Sequence, residues 1–136
     1  MGKDGSQMTR VFHRFLVYVV KDTGGEARYA KSARLCNNNT NNNVKLRLKY
    51  TGPFTKTGFE QYVKYIALIT SNGISVSSES PESAVFELKP GECMDIDVEY
   101  VIDSRLSEDL DFIRLKMISD GRLSIGGFQF DAIIED

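Results

Sequence analysis

Hydrophobic and polar residues alternate most cleanly over residues 93–102, where Met94, Ile96, Val98, Tyr100 and Ile102 share one face and Asp95, Asp97 and Glu99 the other. Successive side chains of a strand point to opposite faces, so this segment buries one side and wets the other, as a sheet covering a core requires. An apolar run over 85–88 precedes it across Lys89-Pro90-Gly91-Glu92, and the two are expected as a hairpin. Residues 44–50 alternate equally well, with Lys45, Arg47 and Lys49 on the solvent face.

The remaining segments read as shorter or less regular strands. Residues 11–20 are almost continuously apolar from Phe15 onward, which predicts a strand covered on both faces or lying in a sandwich core. A Gly24-Gly25 turn leads into residues 27–35, whose weak alternation predicts an edge strand. Residues 37–43 are Asn and Thr only, the composition of an exposed loop. Residues 51–58 break regular structure through Gly52, Pro53 and Gly58. Beyond them the pattern predicts one helical turn and then a strand from Tyr62, a Ser71-Asn72-Gly73 hairpin turn, and a short returning strand over 74–78. An acidic loop or helical turn is expected over 103–111, a strand over 112–118, a turn over 119–122 and a last strand over 128–134. Gly126-Gly127 marks a bulge or bend just before that strand.

Many short strands joined by turn signals, with no helix-length periodicity, predict an all-β antiparallel sandwich of about eight to ten strands. A Pro-Gly-Glu turn feeding an alternating strand resembles immunoglobulin-like and jelly-roll sandwiches in a generic way. The chain has 136 residues, enough for one cohesive core, and the reading is a flexible lead over 1–9 followed by a single domain over 10–136.

Composition narrows the classes of function. A formal net charge of −2 argues against binding nucleic acid through overall charge. Residues 11–20 are too short, and too interrupted by His13 and Arg14, to span a membrane. The polar start shows no signal-peptide pattern, which weakly favours the cytoplasm. Cys36 and Cys93 allow one bridge at most, and both are expected as reduced, partly buried side chains.

Reactive constellations are sparse. The chain has one histidine, His13, inside the first apolar strand, where a half-exposed structural role outweighs a catalytic one. The glycines match neither a phosphate loop nor a dinucleotide fingerprint. Asp95, Asp97 and Glu99 repel one another unless compensated, and the expectation is that they either pair across strands, with the basic face of Lys45, Arg47 and Lys49 as the candidate neighbour, or simply face water. Asp103, Glu108, Asp109 and Asp111 lack the ligand order of a calcium loop. Asn38-Asn39-Thr40 matches a glycosylation acceptor, relevant only in a secretory pathway.

These absences point to a non-enzymatic interaction or assembly module, with no cofactor and no metal. Its partner is expected to be another protein or a second copy, engaged through the edges of the apolar first and last strands. The alternative is a polyanion or single-stranded nucleic-acid binder using Lys45, Arg47, Lys49, Lys56, Phe59 and Tyr62, since aromatic faces stack on bases while cations track phosphates. An enzyme built on the acidic cluster ranks third.

Overall fold

The computed structural model describes residues 10–21, 26–103, 105–106 and 123–135. It contains β1 (Val11–Lys21), β2 (Glu26–Cys36), β3 (Val44–Pro53), β4 (Val63–Thr70), β5 (Ser75–Ser77), β6 (Phe86–Leu88), β7 (Cys93–Ile102) and β8 (Leu123–Ile134). The expected lead over 1–9, strand over 112–118, turn over 119–122 and most of the acidic loop lie outside the described residues.

Among the described residues two antiparallel sheets of 4 strands each pack as a sandwich, in the orders β1-β8-β3-β6 and β2-β7-β4-β5. The pairing is nested: β1 lies against β8, β2 against β7, β3 against β6 and β4 against β5. A chain folded as one long hairpin and then rolled into two sheets has this order, so the sandwich has jelly-roll topology. The turn over 89–92 therefore does not close a hairpin. It carries the chain from β6 in the first sheet to β7 in the second. A turn signal encodes reversal of direction and leaves open which neighbour the next strand joins.

The alternating strands bury the faces their patterns predict. Leu46 and Leu48 of β3, Ile66 and Leu68 of β4, Ile96 of β7 and Phe130 of β8 are essentially inaccessible between the sheets. Each such side chain contributes roughly 1.5–3 kcal/mol relative to an exposed one. The segment after residue 58 is a 3-10 turn, Glu60–Tyr62, followed by β4, as its mixed pattern predicts.

The continuous hydrophobicity of β1 has a different basis from the one expected. Among the described residues β1 ends the first sheet, and Leu16 and Tyr18 on its outer face are 46% and 64% exposed. The last strand, β8, lies inside that sheet between β1 and β3 and offers no edge. The edge expectation holds for β2, whose alternation is broken by a bulge: Tyr29 faces Val98 and Ala33 faces Ile96, leaving Ala30, Lys31 and Ser32 against Asp97 alone. A second irregularity falls at Gly126, where the register with β1 shifts between Val19 and Val20, consistent with the predicted bulge.

Two expectations are corrected. Cys36 and Cys93 stand directly opposite each other in the β2–β7 register and form a disulfide rather than two free thiols. The charge pairing between residues 44–50 and 93–102 does not exist, because β3 and β7 belong to different sheets. The carboxylates of β7 are met instead by β2: Arg34 Nε lies 3.1 Å from Asp95, while Arg28 reaches Asp97 at 3.1 Å and Glu99 at 3.6 Å.

Candidate interaction surface

Three of the cationic residues singled out in the sequence, Lys45, Arg47 and Lys49, share the outer face of the first sheet, and each of these three faces an acid. Arg47 lies 2.7 Å from Glu82 and 3.7 Å from Glu135. Lys45 stands opposite Glu87 and Lys49 opposite Asp131 in the strand register. Lys56 is exposed on the loop after β3. Phe59 is 2% exposed and Tyr62 packs against the core, so neither ring lies open for stacking. The structure thus gathers three of the four cations on one sheet face, leaves Lys56 on a loop and packs the two aromatics against the core.

A different surface carries the exposed apolar side chains of Leu16, Tyr18 and Tyr29. Among the described residues β1 and β2 end their respective sheets on the same side of the sandwich, and the gap between them is a cavity of about 440 Å³. Its floor is the sandwich interior, reached at Phe15, Leu68, Val98 and Ala33. Tyr29 and Tyr100 line it as well, and their hydroxyls are 3.3 Å apart. Because the Tyr100 hydroxyl donates to the Val20 carbonyl at 3.3 Å, its one proton is committed and Tyr29 is the donor of the pair. This chain of hydrogen bonds ties the second sheet to β1 at one end of the gap.

The two edges beside this gap differ. On β2, Asp97 accepts the Lys31 N–H at 2.9 Å and the Arg28 guanidinium at 3.1 Å, and these contacts hold its carboxyl below the ordinary aspartate range. They pin the bulge, with Lys31 at φ 51 and Ser32 Oγ donating to the Tyr29 carbonyl. A bulge with a lysine at its crest is a standard guard against strand addition. On β1 the register with β8 runs without a shift over residues 13–19.

The direction of the β1 main chain follows from its neighbour. Gly127 accepts the Phe54 N–H at 3.0 Å and donates its own N–H to Thr55 Oγ1 at 2.9 Å, both on the side away from β1. Tyr18, opposite Gly127, is therefore in a non-hydrogen-bonded pair, and its main-chain N–H and C=O face outward. Alternation along the strand puts Leu16 and Arg14 in the same state, and the Gln129 carbonyl opposite Leu16 indeed turns away, accepting from Thr51 Oγ1 at 3.1 Å. The outer edge thus presents the main-chain groups of Arg14, Leu16 and Tyr18 beside exposed apolar side chains. The apolar first strand is the one expected to pair at its edge, but nothing in its pattern separates an edge strand from a buried one.

Among the described residues no group of three His, Cys, Asp or Glu side chains comes together to hold a metal, and no helix is long and apolar enough to cross a membrane. His13 lies on the rim of the gap with its ring 4.5 Å from that of Phe15. No protein-family model matches the chain, and neither does any curated protein.

Proposed function

We propose that this jelly roll is a non-enzymatic interaction and assembly module that accepts an extended protein segment along the outer edge of β1. The reading rests on that edge, with which no strand pairs among the described residues: outward-facing main-chain groups at Arg14, Leu16 and Tyr18, exposed Leu16 and Tyr18 side chains, and an apolar gap alongside. Strand addition draws its affinity from main-chain hydrogen bonds and its specificity from alternate side chains, and this edge supplies both. Jelly rolls also serve as lectins and cupins, so the topology alone does not select the role. The polyanion alternative has less support, because Lys45, Arg47 and Lys49 are matched by acids and Phe59 is buried. The Cys36–Cys93 bond favours an oxidising compartment over the cytoplasm.

A labelled peptide carrying residues 11–20, flanked by lysines for solubility, tests the reading by fluorescence anisotropy. Saturable binding to the protein, lost in Leu16→Pro, is the expected result. Proline at this position removes an N–H that points away from β8, so the ladder within the sheet is left intact. Leu16→Lys serves as the second variant should the proline disturb β1. Absence of binding to wild type, or binding by both variants as tight as by wild type, overturns the reading.

A further inference from the structure

Resting on that reading, we infer that the segment taken up by β1 is the β1 strand of a second copy of this chain, paired antiparallel about a two-fold axis at Leu16. Three observations carry the choice of occupant and register. The stretch of β1 free of register shifts is 13–19, and Leu16 is its midpoint, so a two-fold there pairs the whole regular stretch with itself. The main-chain N–H and C=O of Leu16 face the side away from β8, with which no described strand pairs, so the two Leu16 residues exchange both hydrogen bonds across the axis. The adjoining outward residues are then complementary: Arg14 of each copy, whose Nε lies 3.3 Å from Asp131 of its own chain while its side chain stays half exposed, stands opposite Tyr18 of the other, a cation beside an aromatic ring, and no like charges are directly opposed. A two-fold at Arg14 would set guanidinium against guanidinium.

The inner face fits the same arrangement. Phe15 and Val17 point toward the gap between the sheets, and the added strand brings the same two residues of the second copy to its mouth. The second pair of edges does not compete, because the Lys31 bulge keeps β2 from extending its sheet. The contact is isologous, with one patch serving both copies, so it closes at a dimer and does not propagate into a fibre.

Sedimentation velocity over a wide range of concentrations tests the inference on the native, disulfide-bonded chain. The expected result is a monomer–dimer equilibrium that Leu16→Pro and Leu16→Lys shift to monomer while far-ultraviolet dichroism is retained. The register is read by position 18. Tyr18→Glu sets a carboxylate against Arg14 of the other copy and preserves or tightens the dimer. Tyr18→Arg opposes like charges and weakens it by about tenfold relative to Tyr18→Glu, the size expected when two cross-strand pairs change sign. Equal dissociation constants for the two variants, or a dimer untouched at Leu16, overturn the inference. A chain that stays monomeric but still binds the 11–20 peptide overturns self-pairing and leaves the edge-acceptor reading standing. A monomer that ignores the peptide removes both.

Discussion

The ring of Phe54 lies over Gly127: a Cβ built on that glycine would fall 2.4 Å from Phe54 Cζ. Gly127 has no unusual φ, so space and not backbone freedom requires the glycine. Tyr18, directly opposite Gly127 in the ladder, meets the same ring edge-on at 5.5 Å between centroids. Gly127→Ala must push Phe54 off the sheet and take the Tyr18 contact with it. The expected cost is about 1–3 kcal/mol, the usual range for overpacking, read as a lower urea midpoint with an unchanged slope. An unaltered midpoint would show that the Phe54 ring moves aside freely.

Glu60 organises the loop that delivers Phe54 to this position. Burial pushes its carboxyl up, but the Thr55 hydroxyl at 2.5 Å and the N–H groups of Thr57 at 2.8 Å and Gly58 at 3.1 Å outweigh that and bring the pKa to about 2. A carboxyl depressed in the folded state stabilises fully above its unfolded value and loses that contribution as the pH falls through its folded value. Wild-type stability is therefore expected to drain between about pH 5 and pH 2. Glu60→Gln, which cannot accept all three donors, should cost about 1–3 kcal/mol near neutrality. Urea titrations at both ends of this range check the sign: the gap between wild type and variant must narrow in acid.

The disulfide joins residues separated by 57 positions, so it removes considerable freedom from the unfolded chain. Chain-entropy arguments put the effect at about 4 kcal/mol for a loop of this length. Replacing both cysteines by serine should lower the urea midpoint accordingly, and dithiothreitol should have the same effect on wild type but none on the variant. A second consequence is local. Asn37, next to Cys36, is 1% exposed and donates its side-chain amide to the carbonyls of Asn42 at 2.9 Å and Leu88 at 3.0 Å. Exchange of the amides over 37–42 is expected to quicken on reduction before that of β3 or β7. Simultaneous loss of protection throughout would show that the bond serves the whole sandwich equally.

The elements were legible in the residues that alternate. Met94 through Ile102 and Val44 through Tyr50 read as half-buried strands because period-two patterning reports directly on which side chains meet water. The 3-10 turn before β4 was visible in the mixed spacing of Phe59, Tyr62 and Val63. Less was legible at β2, where insertion of Ala30, Lys31 and Ser32 against Asp97 disrupts the period although the strand continues. Phe59 and Tyr62 looked like surface aromatics among lysines, since sequence spacing alone does not say which side of a short turn faces the core.

By itself, then, the sequence determined the class of fold: alternating apolar faces and frequent turns have no economical solution other than stacked antiparallel sheets. Only the tertiary structure decided which strands are neighbours. Register and strand order depend on contacts between residues far apart in the chain, so the nested β1–β8 and β2–β7 pairs, the partners of Asp95 and Asp97, and the opposition of Cys36 to Cys93 appear only when the sheets are assembled. The same is true of the candidate site. The apolar stretch 11–20 is compatible with a buried strand or an edge, and it is an edge because β8, arriving from the far end of the chain, occupies one side of it among the described residues and leaves Leu16 and Tyr18 facing out.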